Sequence, residues 1–188
     1  MNILRSIALV IFSLIILSGS CKKNNVQPQS ELSKLPPATQ TGANTFGCLV
    51  NGQAFLPGGP FLSSSRLQCN YIFTAGGYHF TVAANHKNQD GSITDIVFGT
   101  DSLAISEGQT LIFKISGSGN VDALFDLITI TGNQNRYITT NTVSGQVTIT
   151  KFDQTNQIVS GMFYFNAVNN AGDIVKVTDG RFDMRYTR

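Results

Sequence analysis

Few side chains in this chain are equipped for chemistry: two histidines, His79 and His86, three cysteines, Cys21, Cys48 and Cys69, and scattered carboxylates. His79 falls mid-strand in GYHFTVAAN, opposite the face formed by Tyr78, Phe80, Val82 and Ala84, so it reads as a surface imidazole. His86 falls in the polar stretch NHKNQDG, which reads as a turn. No Gly-x-Ser-x-Gly elbow, His-Glu-x-x-His helix or phosphate-cradling glycine loop is present. Nucleophilic and metal-assisted hydrolysis therefore have no visible constellation, and no catalytic residue, cofactor site or metal ligand is assigned. Carboxylates such as Asp95, Asp101, Asp122, Asp126 and Asp183 could serve as an acid pair for glycoside cleavage only if the fold gathers two of them. Asp126 shares a period-two face with Leu124, Ile128 and Ile130; burial there would raise its pKa, whereas exposure would make it an edge-strand charge. Asp90, Asp173 and Asp179, each beside a glycine, offer calcium-type oxygens, but Asp and Gly together are also ordinary hairpin chemistry.

The cysteines divide by position. After Arg5 the chain runs apolar from Ile7 to Leu17 and leaves through Ser18, Gly19 and Ser20 to Cys21. That run is shorter than the roughly 20 apolar residues of a bilayer-spanning helix, and its basic start and small-residue exit are those of a secretory signal. LSGSC resembles the lipobox of bacterial lipoproteins, with Leu17 four residues before the cysteine rather than the usual three. The resemblance implies that residues 1–20 are removed and that Cys21 becomes the first residue, lipidated by a diacylglyceryl thioether and an N-acyl chain. Those chains would anchor a domain stably, since each buried CH2 contributes about 0.8 kcal/mol. Lys22, standing where an inner-membrane retention signal has Asp, implies the outer membrane, with the periplasmic and extracellular faces both open. From Lys22 to Asn44 the chain is polar and proline-bearing, too poor in apolar surface to offset ordering entropy, and reads as a mobile tether. The expected boundaries are 1–20 for the signal peptide, 21–44 for the lipid anchor and tether, and 45–188 for one domain.

The elements that must position everything else are strands. In RFDMRY, Phe182, Met184 and Tyr186 alternate with Arg181, Asp183 and Arg185, and in QIVSGMFYFNAV one face carries Val159, Gly161, Phe163, Phe165 and Ala167. Further strands are legible in FGCLV, RLQCNYIF, SITDIVFGT, TLIFKIS, ALFDLITIT, TVSGQVTITKF and DIVKVT. Val121 to Thr131 is the best helix rival, yet its end in Ile128-Thr129-Ile130-Thr131 favours a strand. Between the strands stand turn signals such as Asn51-Gly52, Asp90-Gly91, Gly172-Asp173 and Asp179-Gly180. The expected fold is all-β, an antiparallel two-sheet sandwich, with a lipocalin-like β-barrel as the alternative.

In an exported domain Cys48 and Cys69 read as a disulfide, closing a glycine- and proline-rich loop and adding about 3 kcal/mol by the chain-entropy estimate. Two buried free thiols are the other reading, and a metal site has no histidine or cysteine at ligand spacing. From Thr45 onward 9 Lys and Arg stand against 10 Asp and Glu, so there is no basic stripe and nucleic acid is not an expected partner.

The segments TFGCLVNG, SGMFYFNA and TDGRFDMRY resemble a family of small lipoproteins of unknown function from Gram-negative bacteria. That resemblance, from about Leu35 to the end, implies an exported, lipid-anchored β domain without transferable catalytic residues. The functional expectation is a noncatalytic binding or structural module that meets an envelope protein or glycan through loops at one end. The rivals are a hydrolase using carboxylates and a barrel carrying a small apolar ligand.

Overall fold

The computed structural model describes residues 30–59 and 66–188. Cys21 and the signal run lie outside the described residues. A four-residue 3-10 turn, η1 (Glu31–Lys34), precedes eleven strands: β1 (Thr45–Val50), β2 (Gln53–Phe55), β3 (Leu67–Thr74), β4 (Gly77–Lys87), β5 (Ile93–Thr100), β6 (Thr110–Ile112), β7 (Val121–Ile128), β8 (Gln134–Ile138), β9 (Gly145–Asp153), β10 (Ile158–Val168) and β11 (Ile174–Arg185). Val121 to Ile128 is strand, as its β-rich continuation implies.

All strand ladders are antiparallel, in the order β2-β1-β11-β10-β8-β7-β5-β4-β3. β10 gives one edge to β11 along its length and divides the other. Ile158 to Phe165 pair with β9, which carries β6 on its far side, while Val168 pairs with Ile138 of β8. The fork lets the sheet fold over, so that Phe98 of β5 packs on Phe163 of β10 at 4.7 Å and on Phe182 of β11 at 5.6 Å. The result is the expected all-β sandwich. Among the described residues, isolated parallel bridges tie Asn70 of β3 to Thr187 after β11 and Gly58 after β2 to His86 of β4, and the sheet is not closed into a barrel.

Alternation accounts for the core. Phe80, Val82 and Ala84 of β4, Ile96 and Phe98 of β5, and Val159, Phe163, Phe165 and Ala167 of β10 are all buried. β11 departs from the sequence reading in an instructive way. Its two alternating runs have opposite parity, Val175 and Val177 inward in one, Phe182 and Met184 inward in the other. Asp179-Gly180, expected as a hairpin turn, instead forms an irregularity inside one continuous strand, with Asp179 at φ 54°. The extra residue resets the phase, so both runs face the core. Gly180 is required there because a Cβ would lie 2.6 Å from the Phe163 ring.

The cysteines correct a second expectation. Cys48 and Cys69 are free, buried thiols and form no disulfide. Cys48 lies opposite Phe55 in the β1–β2 ladder and Cys69 opposite Val82 in the β3–β4 ladder; each is packed as a small hydrophobe in the common core. Burial pushes both thiols far above their ordinary pKa.

Residues 30–44 supply the third correction, since they lie on the domain as a strap. Ser30 caps η1 through its hydroxyl, and Glu31 accepts a hydrogen bond from the Ala54 N–H of β2 at 2.9 Å. Leu35 is buried, and Pro36 comes so close to Gly47 that a Cβ on Gly47 would lie 2.6 Å from Pro36 Cδ. The prolines suit this role because their fixed φ lowers the entropy lost on docking.

Candidate functional site

Beyond the strap, chemically distinctive groups collect in four places. The first is the carboxylate that fastens the strap. Asp183 stands on the outer face of β11, as alternation requires, yet only 1% of it is exposed. Its oxygens accept hydrogen bonds from Thr39 Oγ1 at 2.6 Å, the Thr41 N–H at 2.9 Å, the Gly42 N–H at 2.7 Å, the Ala43 N–H at 3.1 Å and Ser160 Oγ at 2.8 Å. Burial alone would raise its pKa, but this cage of donors outweighs it and holds the carboxyl far below the usual carboxylate range. Nothing in RFDMRY foretold the burial, because the covering residues lie 142 positions away at Thr41.

The second place is a cross-strand row on the outer face of β5, β7 and β8. Asp95 lies opposite Asp126, and Asp126 lies opposite Arg136. Asp126 is 3% exposed; Arg136 Nη2 donates to it at 2.8 Å and Gln134 Nε2 at 2.7 Å. Asp126 is thus buried, as one of its two sequence readings required, but its neighbours are polar donors. Asp95 has one buried oxygen without a hydrogen-bond partner. Desolvation first, and the Asp126 charge second, push its pKa up. Val97, Leu124 and Ile138 flank the pair on the same open face.

The third is a cavity of about 410 Å³ at the end where the strap begins, walled by Val50, Phe55, Leu56 and Phe125 and reached by His86, Asn88 and Thr94. His86, expected in a turn, is in β4 opposite Thr94 of β5. The Leu56 carbonyl lies 2.7 Å from its Nδ1 and accepts a hydrogen bond from it, which places the hydrogen on Nδ1.

The fourth is an aromatic ladder at the β3–β4 hairpin. Tyr71 stacks on Tyr78 at 4.9 Å and 6°, Phe73 packs on Tyr78 at 5.0 Å, and behind them Tyr71 meets Phe152 at 5.0 Å and Tyr186 at 5.9 Å. The ladder runs from the core to solvent: Tyr186 is 2% exposed, Tyr78 41% and Phe73 63%. Its rigidity comes from the ladder itself, because each ring is braced by the next. Alternation in GYHFTVAAN put Tyr78 on the core face, yet at the hairpin it stands half exposed, and no sequence signal marked Phe73.

The remaining candidates have local roles. His79 lies beside Asp101, Nδ1 to Oδ1 at 3.4 Å, on the outer face of β4. Asp90 accepts from the Ser92 hydroxyl at 2.6 Å and its N–H at 2.9 Å, which holds it below the ordinary range. Asp173 accepts from Asn169 Nδ2 at 3.1 Å within its own turn. Among the described residues no three His, Cys, Asp or Glu side chains are placed to hold a metal ion.

Fold and surface together define an all-β antiparallel sandwich with a docked N-terminal strap and a braced aromatic tip. Residues 70–184 match the family described as Domain of unknown function (DUF6252), and the chain belongs to that family. The match covers both the aromatic tip and the strand that carries Asp183. No curated protein and no solved structure matches the chain.

Proposed function

We propose that the protein is a lipid-anchored lipoprotein of the outer membrane, of the Gram-negative kind its sequence resembles, and that its β domain is a noncatalytic binding module for an envelope protein or glycan. The observation that carries the reading is the position of the aromatic ladder relative to the chain's point of arrival. Strand β4 runs from Tyr78 at the tip to His86 beside the strap end, which at about 3.3 Å per residue is ~26 Å. A chain tethered through Cys21 and arriving at Glu31 would present Phe73 and Tyr78 away from its anchor.

Exposed, pre-ordered aromatic rings suit either partner, since they bury apolar side chains of a protein or stack on the C–H face of a sugar at little entropic cost. A hydrolytic reading would draw on Asp95 and Asp126. Those two lie on the outer face of the sheet, and Arg136 and Gln134 already take up Asp126, so binding is the better-supported reading. Phe73→Ser tests it, because Phe73 is the most exposed ring among the described residues and its loss spares the core. Glycan-array binding and photo-crosslinking from the hairpin in intact cells should both be read against the wild-type protein. A loss of at least about tenfold in one of them is expected, as for an interface hot spot, and identifies the partner class; equal signals from both proteins in both assays would count against a binding tip.

A further inference from the structure

The turns at the strap end form a connected ring. The Asn51 N–H donates to the Lys176 carbonyl at 2.8 Å, and Asn51 Oδ1 accepts from the Lys176 N–H at 2.9 Å, tying the β1–β2 turn to β11. Asn169, in the β10–β11 turn, donates to Asn135 of β8 at 3.2 Å. Ile130, in the β7–β8 turn, stands over Gly91 of the β4–β5 turn, where a Cβ would lie 3.2 Å from Ile130 Cγ2. Glu31 joins η1 to β2.

Three sectors of this ring carry an exposed aliphatic side chain: Leu32 at 48%, Ile130 at 73% and Ile174 at 52%. Charges around them are of both signs. Glu31 is paired with Lys34 at 2.6 Å, Asp90 and Asp173 are bonded within their turns, and Lys87 and Lys176 stand beside them.

We propose that this end of the domain seats on a lipid bilayer surface, with Leu32, Ile130 and Ile174 entering the boundary between headgroups and acyl chains. The inference rests on the lipoprotein reading given above. What names the occupant is the length of chain before the fold and where that chain arrives. Fully extended, the interval from Cys21 to Ser30 reaches about 32 Å. A tether that stayed free as far as Thr45 would have reached about 86 Å. Docking of the strap therefore confines the ring of turns to the neighbourhood of the anchoring membrane and turns the aromatic tip away from it. Mixed charge makes the seat one of apolar insertion, insensitive to salt.

The test uses the full mature chain, lipidated in cells and reconstituted into phosphatidylethanolamine and phosphatidylglycerol vesicles. Single variants Ile130→Cys, Ile174→Cys and Phe73→Cys are labelled with a fluorophore; Cys48 and Cys69 are buried and do not compete. A spin-labelled lipid should quench the labels at 130 and 174 at least about threefold more than the label at 73, the depth contrast expected of an interfacial seat. Equal quenching at all three sites, or strongest quenching at 73, overturns the seat and leaves the anchor intact. Disulfide cross-linking of Ile130→Cys between copies, in place of quenching by lipid, assigns the surface to a second copy and overturns it as well. The mass of the mature N-terminus separates the two readings: an unmodified Cys21 overturns the anchor and the seat with it.

Discussion

Asp183 and Asp126 occupy equivalent positions, each on the outer side of a strand and each buried, and they are buried by different means. Asp126 is covered by its own sheet, through Arg136 and Gln134 on the neighbouring strand. Asp183 is covered by a segment from the other end of the chain, whose backbone N–H groups at Thr41, Gly42 and Ala43 it accepts directly. One carboxylate is neutralised locally; the other organises a piece of chain that has few apolar contacts of its own. A buried charge on a sheet face is therefore not one kind of feature. Its worth depends on whether its donors would have been ordered without it.

The contrast is most open to attack at Asp183. Asp183→Ala leaves three strap N–H groups and the hydroxyls of Thr39, Thr41 and Ser160 without their acceptor and should cost about 3 kcal/mol in denaturant unfolding, with hydrogen-exchange protection lost at Gly42 and Ala43. Wild-type-like protection at those amides would show that Leu35 and Pro36 hold the strap unaided. The same carboxylate sets an acid limit. Its folded pKa lies below the unfolded value of about 3.9, so its contribution is complete well above that value and is lost as pH falls through it toward the folded pKa. The Asp183→Ala variant should lack that part of the acid dependence.

Arg136→Ala is expected to cost less, about 1–2 kcal/mol, because the guanidinium is half exposed and water replaces part of what it supplied. Its signature is a further rise in the Asp95 pKa, since Asp126 would then face Asp95 without its counter-charge. Asp95→Asn should act in the opposite direction and raise stability at pH 7 by up to about 1 kcal/mol. The sign follows from the raised pKa: folded Asp95 binds a proton more readily than unfolded Asp95, so its penalty is present at neutral pH and relieved as pH falls through its folded pKa. A pH-independent difference between Asp95→Asn and the wild type would refute that cause.

The smallest effect concerns the thiols. Reductant should leave the melting temperature unchanged within about 1 °C, and two thiols should become titratable only on unfolding, because Cys48 and Cys69 are buried and unlinked. A large destabilisation by reductant would mean that a disulfide, and not Asp183, ties the N-terminal part to the rest.

The strands were legible wherever alternation was clean, as in GYHFTVAAN and QIVSGMFYFNAV, because a half-buried strand writes its two faces directly into the sequence. β2 and β8 were not legible. QAF is too short to show a period, and the exposed QNRYI carries too little apolar contrast. Of the candidate surface groups, sequence pointed to Asp126 without saying what it meets. Phe73 carries no signal of its own in RLQCNYIF, since hairpin geometry alone places it at a solvent-facing tip.

By itself the sequence determined the all-β class, the inward faces of the long strands and the near-neutral balance of the domain, all of them consequences of local pattern and composition. Tertiary structure alone decided that Asp179-Gly180 resets a strand rather than ending it, that Cys48 and Cys69 stay apart as thiols, and that LPPATQTGAN lies on the fold rather than off it. These outcomes depend on groups brought together from distant parts of the chain. A carboxylate at 183 and amides at 41 to 43 have no local pattern in common, and their mutual satisfaction exists only once β1 and β11 have paired.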